Sequence, residues 1–225
     1  MKTTYAFVAL AAVLAPSAAF AHFPFLHWTE LNDQPVLQVY FGETPAPDNP
    51  KYLDNLVDGE AWMKPADGAV VPIEIKREDD FLLARPKVEN PVVFGYTKNW
   101  GKLSRGDESF ELLYYAKTYS DPAAWAIDTS EQLALDIRPS YADGKLAVTA
   151  LWKGKPLPNA EIVVHGGLAH FEGKTNAKGE FQCELSDPAL YAIRVRHVEE
   201  PADGEEKLGR RHYATATINL EPAAQ

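Results

Sequence analysis

An all-β fold follows from three features of the sequence. Helical periodicity is nearly absent, short alternating apolar runs recur along the chain, and Gly, Pro, Asn and Asp punctuate them at turn-like intervals. The 17 prolines among 225 residues suit a chain rich in strand edges and loops, because proline cannot donate to a ladder. The expected architecture is two β-sandwich-like domains.

The first element is not part of that fold. Residues 1–21 carry one positive charge at Lys2, an apolar, alanine-rich run too short to span a bilayer, and small residues at Ala19 and Ala21. This is the pattern of a secretory signal peptide cut after Ala21. The expectation is an exported, periplasmic or secreted protein whose mature chain starts at His22. No lipobox cysteine is there to hold it at a membrane, and no stable membrane insertion is expected after cleavage.

The strands follow in order. Runs such as PVLQVYFG, DFLLARP, PVVFGYTK and SFELLYYAKTY alternate or stay apolar for strand-like lengths. EAWMKPADGAVVPIEI reads as a hairpin with Asp67-Gly68 at its tip. Only DPAAWAIDTSEQ and NPKYLDNLV offer short helical pieces. A change of texture near residue 140 divides the chain into a β-rich domain at 22–139 and a second sandwich module at 140–225. In that module Gly154 and Pro156 form one turn, and Asn176 and Gly179 are expected to supply the backbone angles of another. Phe181, Tyr191 and Ile193 are expected to fill the space between sheets.

Charge and cysteine content narrow the function. The formal net charge is −10, and losing Lys2 with the leader makes it one unit more negative. Such a chain has no electrostatic means of holding nucleic acid, and it attracts cations. The single cysteine, Cys183, excludes an internal disulfide and alternates with Phe181 and Leu185, as a buried apolar residue would. Nucleophile elbows, phosphate loops and dinucleotide fingerprints are absent, so no enzyme is expected.

The six histidines carry the chemistry. A mature N-terminal His22 offers its α-amine and ring Nδ1 as one chelate, which suits Cu²⁺ or Ni²⁺. Pro24 has no backbone N–H, so successive deprotonated amides cannot wrap the ion at the third residue. In LYAIRVRH, Tyr191, Ile193, Val195 and His197 share a face; in HYATATINL, His212, Ala214, Ala216 and Ile218 do. Antiparallel pairing of these runs brings His197 and His212 together at one rim. The expected metal ligands are therefore His22, His197 and His212, with His27 in reserve. His165 and His170 read as strand-end and loop residues.

Two resemblances add to this. The stretch LAVTALWKGKPLPNAEIVV, GKTNAKGEFQCEL and ALYAIRVRH resembles the carboxypeptidase-regulatory-like, transthyretin-like sandwich module. The whole chain, from Ala-His at the leader end to RRHYATATINL, is similar to the domain of unknown function 4198 group. That group is associated with periplasmic components of nickel and cobalt uptake. The resemblance implies nickel or cobalt as ligand and a membrane metal transporter as partner; with the His22 chelate, the expected ligand is a divalent transition metal (Ni, Co or Cu). Two other functions stay open: an adhesion or interaction module with incidental histidines, and a copper enzyme whose histidine brace resembles that of lytic polysaccharide monooxygenases.

Overall fold

A computed structural model describes residues 22–106, 108–201 and 208–220; the leader expected at 1–21 lies outside them. The chain forms β1 (Phe23–Leu31), β2 (Gln34–Gly42), β3 (Glu60–Pro65), β4 (Val71–Pro72), β5 (Lys76–Arg77) and β6 (Leu82–Ala84). Two long strands follow, β7 (Val92–Arg105) and β8 (Glu108–Tyr119). The second half contributes β9 (Leu135–Ala142), β10 (Lys145–Trp152), β11 (Lys155–Pro156) and β12 (Glu161–Gly166). It ends with β13 (Ala169–Lys174), β14 (Glu180–Glu184), β15 (Ala189–Glu199) and β16 (Gly209–Leu220). The two short helical pieces are 3₁₀ turns at Pro50–Asn55 and Pro122–Ala126. Each starts with proline, and Asn49 and Asp121 cap them through side-chain oxygens. Among the described residues, no helix is long and apolar enough to cross a membrane.

The all-β expectation holds. A central eight-stranded sheet runs β13-β12-β15-β16-β8-β7-β3-β4. One face is covered by the sheet β1-β2-β6-β5, the other by β9, β10, β11 and β14. Because both faces are buried, β8 reads FELLYYAKTY with no clean alternation. Its Tyr114 and Ala116 join Phe25, Leu26 and Val39 in one core, while Tyr115 and Tyr119 join Leu146, Val148 and Ile193 in the other.

The boundary near residue 140 falls inside β9. The central sheet also crosses it, since β16 lies parallel to β8 with Gly209 opposite Phe110 and Ala216 opposite Lys117. The two halves therefore share one sheet. A sequence reading cannot see this pairing, because parallel partners 100 residues apart leave no local turn signal.

The turn chemistry behaves as its residues dictate. Asp143 and Gly144 take φ values of 51° and 76° between β9 and β10, the left-handed pair of a tight hairpin. The hairpin at Asp67-Gly68 joins β3 to β4, with Trp62 opposite Pro72. Gly179 has φ of 75°, and a Cβ there would sit 2.8 Å from the Ala150 carbonyl oxygen. Asn176 does not share that backbone role; its Oδ1 accepts from the N–H groups of Lys178 and Glu180, closing the turn through the side chain. Tyr191 and Ile193 are fully buried between sheets, and Phe181 packs at their margin. Cys183 is buried opposite Leu146, and burial pushes its thiol up to about 11.

Candidate metal centre and its surroundings

β15 and β16 pair with His197 directly opposite His212. The two rings lie 6.0 Å apart, and Trp152 of β10 covers both, at 4.4 Å from His197 and 4.5 Å from His212. Tyr115 stacks on His212, and its hydroxyl is 3.1 Å from Nδ1. The other nitrogen, Nε2, lies 3.5 Å from a Glu199 carboxylate oxygen and forms no hydrogen bond within the limits of a good one. His212 is only 2% exposed, and burial pulls its pKa down to about 4, against the opposing pull of Glu199. His197 is lowered for the same reason. Burial thus favours the neutral form of both rings, and Trp152 packs against each of them.

His22 has a different setting. It immediately precedes β1, and its ring lies 5.1 Å from Tyr52 and 5.7 Å from Phe41. Its side chain keeps 22% of its exposure, and Nε2 is 3.4 Å from the Asp48 carboxylate. Tyr114 donates its hydroxyl proton to the His22 carbonyl at 3.1 Å, which fixes the backbone just ahead of β1.

The expected three-histidine site is not assembled. Along β16, Tyr213 meets Phe23, and Thr215 and Thr217 donate to the carbonyls of Pro24 and Leu26, so this face looks toward β1. His212 alternates with them and looks the other way, onto Trp152. The central sheet therefore stands between His22 and the His197–His212 pair. Strand periodicity correctly brings the pair together, but it cannot say which layer covers which face. His27 is no substitute. It lies half-buried on β1 opposite Gln38, and at ~3.3 Å per residue five residues of extended chain place it ~16 Å from His22. Among the described residues, no group of three or more His, Cys, Asp and Glu side chains is arranged to hold a metal.

The remaining histidines sit together elsewhere. His165 and His170 are register partners on β12 and β13. His165 meets Phe25 edge-on, and His170 contacts Glu172 at 3.0 Å.

Two features escaped the sequence reading. Lys117 is fully buried with its Nζ 2.6 Å from Asp136, and Thr129 bridges the two through its hydroxyl. Burial lowers the Lys117 pKa and Asp136 opposes this. An ion pair joining two layers has no short-range signature. Around His22, Phe41, Tyr52, Trp100 and Tyr114 line a cavity of about 230 Å³. Its residues come from five stretches of the chain, at 22–23, 41, 52, 100–114 and 211–213, so no local pattern marks it. No protein-family model and no curated protein sequence matches the chain.

Proposed function

We propose that this chain is an exported, non-enzymatic protein that binds a divalent transition ion, Ni²⁺, Co²⁺ or Cu²⁺, through a mature N-terminal His22. The α-amine and Nδ1 of His22 are the two donors, and a periplasmic location with handover to a membrane transporter fits such a site. One observation carries the reading: Asp48 lies 3.4 Å from Nε2. A carboxylate on that side favours a ring proton on Nε2 and so leaves the Nδ1 lone pair, the nitrogen that closes a chelate with the amine, turned toward an ion. Carboxylates orient metal-binding imidazoles in this way. Two protein nitrogens leave the other positions of a tetragonal ion to water or small ligands, a coordination that favours exchange over storage. His197 and His212 have no part in it.

The test is a calorimetric titration of Ni²⁺ and Cu²⁺ into a chain starting at His22, beside one carrying an extra N-terminal alanine. The extension moves only the amine. Affinity is expected to fall at least tenfold, about 1.4 kcal/mol, while His212→Ala leaves it unchanged. Equal binding by the native and extended chains would sink the proposal.

A second reading, an interaction module, rests on a groove of about 970 Å³ at the opposite end of the layers, where Trp28, Trp125 and Tyr141 meet Glu30, Asp121 and Asp187. Aromatic faces beside carboxylates suit a sugar chain. Saturable, metal-independent binding of an oligosaccharide, lost in Trp125→Ala, is the outcome that would bring it forward.

A further inference from the structure

The cavity beside His22 has the makings of a ligand site in its own right. Phe41 and Trp100 are stacked 5.2 Å apart with their planes 13° from parallel. Tyr114 stands edge-on to both, 5.9 Å from each at 82° and 87°. Together the three rings make a rigid right-angled corner. Trp100 reaches it by a local irregularity. The β7–β8 register shifts between Asn99 and Gly101, with Gly101 at φ 91° and its N–H bonded to Asn99 Oδ1 at 2.8 Å. A bulge adds one residue to one strand and re-aims a side chain; here the extra residue is Trp100. Phe41 and Tyr114 are buried, while Trp100 keeps partial exposure, so the corner opens to solvent at the indole.

Charge at the mouth is of the opposite sign to the chain. Arg105 and Arg211 both line the cavity of a protein with net charge −10. Arg211 is committed: its guanidinium lies 3.7 Å above the Phe110 ring and pairs with Glu108. Arg105, the last residue of β7, is exposed and has no ion pair among the described residues. Aromatic walls offer flat stacking surfaces, and a guanidinium matches a carboxylate with two parallel donors.

We propose that this cavity binds a planar aromatic carboxylate, stacked against Trp100 with its carboxylate on Arg105. The proposal stands apart from the metal reading, since the walls and the cation exist with or without an ion on His22. The probe is 2-naphthoate, titrated into the mature chain with EDTA present, so that failure of metal binding leaves the result untouched. Saturable one-to-one binding is expected, weakened at least tenfold by Arg105→Gln and by Trp100→Leu. Cyclohexanecarboxylate, with the same charge and no π face, is expected to bind at least tenfold more weakly. Should Trp100→Leu fail to fold, the exposed Arg105→Gln variant still decides the matter. The proposal is overturned by absence of saturable naphthoate binding, by unchanged affinity in Arg105→Gln, or by equal affinity for cyclohexanecarboxylate.

Discussion

The two faces of the central sheet are built by different rules. Toward β9 and β10 it buries polar groups and satisfies most of them internally: Lys117 on Asp136 and Thr129, Tyr119 on the Ile137 carbonyl, and His212 Nδ1 on Tyr115. Toward β1 and β2 it is aromatic, joined by two threonine hydroxyls, and it opens at one end beside His22. A histidine on the first face is a packing element whose burial favours the neutral ring. On the second face it is within reach of solutes. An imidazole's chemistry here depends on the layer that covers it more than on the strand that carries it.

Breaking the polar face gives the largest effect. Asp136→Ala leaves the Lys117 ammonium buried without a counter-charge, which typically costs about 3–5 kcal/mol. The double variant Lys117→Met/Asp136→Leu is expected to recover most of that loss, because no charge is then left unpaired. Chemical denaturation of the two variants beside the native chain measures both. If Asp136→Ala proves nearly neutral, the ion pair does not join the layers.

Acid separates the two faces next. The unfolded His212 has an ordinary pKa near 6.5 and the folded one about 4. Between those values the unfolded chain binds the proton and the folded chain does not. Stability is therefore complete above about pH 6.5 and declines as pH falls toward 4. The loss from this one group is on the order of 3 kcal/mol. In His212→Phe that part of the slope is expected to vanish, whereas His22→Ala leaves it in place. Denaturation midpoints at pH 7 and pH 4.5 for the three chains would show it, and an unchanged slope in His212→Phe would rule the assignment out.

The contrast also explains how much was legible beforehand. Alternation along LYAIRVRH and HYATATINL placed His197 beside His212, because a period of two and an antiparallel ladder are local properties. Asp67-Gly68 marks its hairpin for the same reason. The pairing of β16 with β8, the ion pair of Lys117 with Asp136 and the cover of β1 over Thr215 link segments with no turn between them. Each depends on how layers stack, so nothing in neighbouring residues encodes it. The segment from His22 onward reads as a ligand in the sequence and not as a strand. In β1, Phe23 and Phe25 alternate through Pro24, and the Asn32-Asp33 pair, both at positive φ, closes its hairpin; those residues held the missing signal.

The smallest effect probes the seam of the aromatic face. β1 is an edge strand, and the carbonyls of Pro24 and Leu26 point away from β2 toward the central sheet. Pro24 has no N–H to leave unpaired on that edge, which is where a strand tolerates proline. Thr215 donates to the Pro24 carbonyl at 2.6 Å, and Thr217 does the same for Leu26. Thr215→Val keeps the shape and removes the donor, leaving one buried carbonyl without its partner, a cost of about 1–2 kcal/mol. Because β1 carries His22, the same change is expected to speed amide exchange at Phe23 and Phe25 more than at Val148 on the opposite side. Hydrogen exchange of Thr215→Val checks this. Equal acceleration on both sides of the sheet would mean that the hydroxyl steadies the whole fold and has no special part in anchoring β1.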